Sequence, residues 1–194
     1  MELGINYEEA QKLVDKHISD KITRLHLLET EAIMGDLAEK FGENKEEWSI
    51  IGLLHDIDWD LTKSNTGEHC VKAVEILKEA GASDFLIETV ISHGYGHDSI
   101  PAYINKQRQS KLQHSLCAAE TLTGLIIASA LVQPDIKLAS VKLESLKKKF
   151  KQKSFAANCD RELIRECEQA GVPLDEFLEL SLKSLQKISD KIGL

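Results

Sequence analysis

Two adjacent side chains open the case for chemistry: His55 and Asp56 end the run IIGLLHDIDWD, whose apolar residues are otherwise bound for a core. An imidazole beside a carboxylate at the inner end of a helix reads in two ways. The pair can be two satisfied hydrogen-bonding groups, or it can offer one nitrogen and one oxygen to a divalent cation. Other histidines bear on the choice. His26 shares a helical face with Thr30, Ile33 and Leu37; His69 shares one with Ala73, Ile76 and Ala80; His93 follows Leu86 and Val90 on a helix of its own. With His55 these make four inward histidines, each needing a buried partner, and a shared metal meets that need at once. Glu120 adds anionic charge on the apolar helix LCAAETLTGLIIASA, where its face includes Leu116 and Gly124. A buried carboxylate there is costly unless paired or metal-bound; on the helix's wet edge it would be ordinary. Gly52 and Gly124, each one turn from an acidic candidate, leave backbone room around a site.

The elements that must hold these residues are helical. The spacing of Leu27, Met34 and Phe41 with Leu37, and of Leu174, Leu178, Leu185 and Ile192 with Ile188, has the helical period. Thr66 is expected to open a helix through Cys70, Val74 and Leu77 that Gly81 ends, and Ser83 opens the next through Leu86 and Val90. The stretch GYGHDSIPAYINKQRQSK reads as a longer irregular connection before the helix LCAAETLTGLIIASALV, which Pro134 closes. Strand signals are missing, so the predicted fold class is all-α. With no spacer along it, residues 1–194 read as one domain: a site-bearing core over about 20–130 and a C-terminal helical extension over about 135–194 that contains the basic run KKKFKQK.

Composition narrows the function classes. A net charge of -8 argues against binding nucleic acid. The start lacks the layout of a secretion signal and no apolar run reaches the ~18 residues of a bilayer span, so the expectation is a cytoplasmic protein without a membrane partner. Cys70, Cys117, Cys159 and Cys167 form no CxxC pair and read as reduced, packed thiols.

At these residues the sequence resembles the HD-domain superfamily of metal-dependent phosphohydrolases, most closely its HDIG-type bacterial hydrolases. That pattern is a histidine, a distant His-Asp doublet and a distant aspartate, all on helices. Here RLHLLETEAIM supplies His26, GLLHDID supplies His55 and Asp56, and CAAETLTGLI resembles the family's ADELTGLI, with Glu120 at the aspartate position. His69 in GEHCVKAVEIL and His93 in VISHGYGH resemble the extra histidines of members that hold two metals, although Gly94 replaces the second of a paired histidine and His97 is the nearest substitute.

The resemblance implies an HD-type helical bundle and a metal-activated water attacking a nucleotide or small phosphate ester. It implies one or two divalent ions (Mn²⁺, Mg²⁺, Co²⁺, Fe²⁺, Ni²⁺ or Zn²⁺) on His26, His55, Asp56 and Glu120, with His69 and His93 holding a second ion or the phosphate. Asp58, Asp60 and His97 are the candidates for catalytic roles beside the metal. Lys63, Lys106, Arg108 and Lys111 are the candidates for binding the substrate phosphate. The lysines from Lys147 to Lys153 read as a solvated face. Two rival readings remain: a silent nucleotide-binding module on the same fold, and a di-iron oxygenase. A homo-oligomer is left open.

Overall fold

The computed structural model describes residues 2–194, and among them there are helices and turns but no strand. The all-α expectation therefore holds. The chain runs through α1 (Tyr7–His17), α2 (Lys21–Phe41), α3 (Lys45–Leu54), α4 (Trp59–Thr62), α5 (Val71–Glu79), α6 (Asp84–Ile91), α7 (Lys111–Leu131), α8 (Leu143–Lys151), α9 (Arg161–Gln169), α10 (Leu174–Lys187) and α11 (Ser189–Ile192). Short polar residues start the helices that matter most. Asn6 and Glu9 form a reciprocal capping box on α1, Asp20 caps α2, Asn44 caps α3, and Ser110 with Gln113 boxes α7.

Two contacts set the frame. Helices α2 and α3 cross at Gly52, where an added Cβ would lie 2.9 Å from both the Glu31 Cα and the Thr30 carbonyl oxygen. Only a glycine lets the two backbones come this close. On the other side of α2 lies α7, whose Leu116, Ala118, Ala119, Leu122, Leu125 and Ile126 are fully buried. This 21-residue helix has the length and hydropathy of a membrane span, contrary to the sequence reading, but most of its apolar window is buried inside the bundle, as in a core helix. The C-terminal helices pack onto this frame, α9 on α7 and α10 on α2.

The helix predicted from Thr66 departs from expectation. Residues Thr66–Glu68 form a single 3₁₀ turn, His69 is extended, and Cys70 has φ 63°, so α5 starts only at Val71. His69 is therefore not on the helical face of Ala73 and Ile76. Tertiary contacts at His69, described below, override the local helical pattern. His93 likewise sits just past α6, in a 3₁₀ turn over Ser92–Gly94.

Buried carboxylate Glu29 on α2 is 6% exposed and has no hydrogen-bond or ion-pair partner among the described residues. Burial pushes its carboxyl up to about 8. Between its ordinary value of 4.5 and about 8 the folded chain holds a proton that the unfolded chain has released, so this group's contribution to stability falls as pH rises through that window. Chemical denaturation should show Glu29→Gln close to wild type at pH 5 and more stable by roughly 2–5 kcal/mol at pH 9. A pH-independent difference would mean that Glu29 stays charged in the fold.

Candidate metal centre

Four imidazoles and one carboxylate meet where the ends of α3 and α6 face α2. His55, fully buried, donates from Nδ1 to the Gly52 carbonyl at 2.8 Å, and His93 donates from Nδ1 to the Val90 carbonyl at 2.7 Å. His69 Nδ1 bonds Asp58 Oδ1 at 2.9 Å. His26 Nδ1 lies 3.0 Å from the Thr123 hydroxyl, which itself donates to the Glu120 carbonyl and so accepts from the ring. With every Nδ1 engaged by an acceptor, each neutral ring presents a bare Nε2 to the interior. The Nε2 atoms meet in pairs: His26 and His55 are 3.0 Å apart there, and so are His69 and His93.

Asp56 stands between the two pairs. Its Oδ2 is 3.7 Å from His26 Nε2 and 3.6 Å from His55 Nε2, while its Oδ1 is 3.3 Å from the Nε2 atoms of both His69 and His93. Burial pushes this carboxyl up, but the facing imidazoles of His55, His69 and His93 outweigh it and hold the group well below the ordinary carboxylate range. Burial takes the His55 ring down to about 3, so it stays neutral. For His69 and His93 burial also opposes charge, yet Asp56 and Asp58 raise the one and Cys70 and Asp56 raise the other. This half of the cluster calls for a positive charge, either a proton or a metal ion. Donor atoms ~3.0–3.4 Å apart are what ligands at ~2.1 Å from one cation require. The His69–His93–Asp56 Oδ1 half lies in that range. The His26–His55–Asp56 Oδ2 half, at 3.0–3.7 Å, is a little wider, so the residues fit a divalent metal with a small inward movement of Asp56 Oδ2.

The remaining expectations divide. Glu120 lines the same cavity as the cluster; its carboxyl is raised by burial against the pull of His93 and His26, and its Oε1 accepts the Thr121 hydroxyl at 2.6 Å. It belongs to neither of the two tightest donor groups, His26–His55–Asp56 and His69–Cys70–His93. His97 lines the cavity too; its Nδ1 accepts the Ser99 amide at 3.2 Å, which leaves the ring proton on Nε2. Asp58 is fully buried, and besides His69 it takes the Ala73 amide at 3.0 Å, capping α5. Its place is to orient His69, not to reach a substrate.

Asp60 is a correction. Its carboxylate accepts the amides of Ser19 and Asp20 at 2.7 and 2.9 Å, pinning the entry of α2, and it lies outside the cavity wall. All four phosphate candidates are likewise used elsewhere. Lys63 pairs with Asp20 and Asp60, Lys106 with Glu88 and the Tyr95 and Tyr103 rings, and Lys111 lies over the Phe41 ring. Arg108 grips Glu166 of α9 with two nitrogens and donates to the carbonyls of Ser92, His93 and Tyr95, so it holds the His93 turn. In the basic run, Lys147 pairs with Asp175 and Lys149 lies over the Phe155 ring.

The cavity, about 620 Å³, has walls that sequence reasoning missed. Asn158, Cys159, Asp160 and Leu163 of the extension line it, as do Ile100 and Trp59, whose ring stands 5.0 Å from that of His69. Among the described residues lining it there is no lysine or arginine. Thr123, which fixes the His26 ring, and Cys70, whose Sγ is 3.6 Å from His93 Nε2, were also unforeseen. Burial pushes the Cys70 thiol up, but His93 and His69 outweigh it and draw it down.

A family model described as HD domain matches residues 23–130, the stretch that carries His26, His55, Asp56, His69, His93 and Glu120. The chain belongs to the HD domain family. Its sequence aligns with ribonuclease Y of a Nitratiruptor species, 27% identical over 165 residues, which is 84% of this chain and 30% of that protein. A second ribonuclease Y, from Thermosipho melanesiensis, is 38% identical over 68 residues, 35% of this chain and 13% of that one. The chain thus spans less than a third of the length of these relatives. No solved structure gives a significant match. The matched stretch runs from α2 nearly to the end of α7 and so contains all of the converging donors.

Proposed function

We propose that this protein is a metal-dependent phosphohydrolase acting on a small phosphate ester. The observation that carries the reading is the pair of facing, bare Nε2 groups on either side of the Asp56 carboxylate. His26, His55 and Asp56 would hold one divalent ion, with Glu120 supplying further negative charge from α7. His69, His93 and the other Asp56 oxygen would hold another. A divalent ion supplies a Lewis acid for a phosphoryl oxygen and lowers the pKa of a water nucleophile.

The chain's own residues do the rest. Gly52, Val90, Asp58 and Thr123 fix the four ring orientations before any ligand arrives. His97 offers its Nε2 proton to an ester oxygen, and Trp59, Ile100 and Leu163 shape an apolar side for the alcohol part of the ester. No lysine or arginine lines the cavity itself, which suits a lone phosphate; Lys153 stands in the adjoining pocket that shares His97, Asn158, Cys159 and Asp160 with it. The relatives' name brings a phosphodiester into range. The net charge of -8 favours a small diester or nucleotide over a long RNA strand.

A panel of monoesters, diesters and nucleoside triphosphates, each assayed with Mn²⁺ or Co²⁺ and again after chelation, tests this directly. Metal-dependent turnover is expected for at least one single-phosphate substrate, and His55→Ala should lower it strongly. Binding of a nucleotide without turnover under every metal would favour the silent module instead, and oxygen-dependent turnover would favour the oxygenase.

A further inference from the structure

Cys70 is fully buried, and its Sγ, His69 and His93 place one donor atom each within 4.8 Å of one another. The thiol is brought there by an unusual backbone. Cys70 occupies the N-cap of α5 with φ 63° and ψ −27° and makes no capping hydrogen bond, so the position is not filled for the helix's sake. The helix start is served instead by Asp58, which accepts the Ala73 amide at 3.0 Å. Room for the sulfur is made at Gly94, the residue after His93. A Cβ at that position would lie 2.7 Å from Cys70 Sγ and 2.9 Å from Ile100 Cδ1, so a side chain at 94 and the thiol at 70 exclude each other.

What the sulfur faces is also incomplete. His69 and His93 turn their Nε2 atoms toward each other at 3.0 Å, and Asp56 Oδ1 lies 3.3 Å from both. Two nitrogens, one oxygen and one sulfur converge in a buried space. Cys117, Cys159 and Cys167 are in neither donor group.

We propose that Cys70 is a thiolate ligand which, with His69, His93 and Asp56, completes a cation site separate from the His26–His55 pair. The inference rests on the metal reading above and adds to it a choice of ion. A sulfur donor suits Zn²⁺, Co²⁺ or Fe²⁺ and disfavours Mg²⁺, so the two halves of the cluster differ in selectivity. Binding converts the thiol to a thiolate and releases its proton to solvent, so uptake at this half acidifies an unbuffered solution.

The test titrates the metal-free full chain with Co²⁺ and reads bound cobalt by elemental analysis alongside the near-ultraviolet thiolate-to-cobalt charge-transfer band. Wild type should show the band; Cys70→Ser should lose it and bind its second cobalt at least ~10-fold more weakly, with Cys117→Ser unchanged as the control. Gly94→Ala keeps every donor but presses on the sulfur, and should weaken the band while leaving the first cobalt in place. Circular dichroism identifies a variant that fails to fold, and Gly94→Ala then decides between the outcomes. Cobalt uptake by wild type without a thiolate band overturns the assignment of Cys70 and leaves the histidine–carboxylate centre standing. No cobalt uptake at all overturns both.

Discussion

Asp56→Ala is expected to remove most bound metal and to lower kcat/KM by ~10³-fold or more, about 4 kcal/mol of transition-state stabilisation. The size follows from position. Asp56 reaches both histidine pairs, with Oδ2 toward His26 and His55 and Oδ1 toward His69 and His93. Loss of a single histidine leaves the opposite pair its oxygen, whereas loss of the carboxylate removes the anion from both halves together. Asp56→Asn separates charge from shape: it keeps the volume and one acceptor oxygen but not the charge, and should fall nearly as far. Steady-state kinetics and metal content on the same preparations measure this. Asp56→Asn with wild-type activity would mean that the carboxylate only fills space.

Gly52→Ala is the second large effect, and it acts through packing. The new Cβ would lie 2.9 Å from the Glu31 Cα and the Thr30 carbonyl oxygen, and 3.0 Å from the Glu31 amide nitrogen, all backbone atoms of α2 that have no rotamer to change. The helices must separate, and separation also pulls His55 from His26, since one ring is carried at the end of α3 and the other on α2. Overpacking of this kind costs about 1–3 kcal/mol, which in a chain of this size lowers Tm by roughly 2–12 °C. Metal affinity should fall with it, because the Gly52 carbonyl is also the acceptor that orients His55. Gly67→Ala is the control: its nearest neighbours would stand at 3.7–3.8 Å, ordinary contact, and its Tm should barely move. Equal Tm values for the two variants would contradict the tight α2–α3 crossing.

Much of this arrangement is legible in the sequence because burial leaves a periodic trace. The apolar stripe of α2 carries His26, and the run that becomes α3 ends in His55. A polar residue at a core position signals a demand for a partner, and four such histidines point to one centre. The start of α5 is not legible. Nothing local distinguishes a helix from Thr66 from one beginning at Val71, because the break at Cys70 answers to the histidines across the cavity. For the same reason Cys70 reads as a packed thiol until the fold places it beside His93.

Charges mislead for a different reason. Arg108, Lys106 and Lys63 stand near the site in sequence, but a cation's partner is chosen in space. Arg108 is taken by Glu166, 58 residues away, and Asp60 by the amides at the start of α2. The extension's part in the cavity wall is invisible for a similar reason, since Asn158 and Leu163 carry no signal of where α9 will dock.

Metal content of the purified chain after saturation with Mn²⁺, Co²⁺ or Zn²⁺ and removal of free ions, wild type beside Asp56→Ala, decides whether the cluster is a metal centre. About two equivalents per chain in wild type and almost none in the variant are expected, with phosphoester hydrolysis only in the loaded wild type. A wild-type chain that takes up no metal from any of these ions would contradict the account, and the four facing imidazoles would then be sharing protons instead.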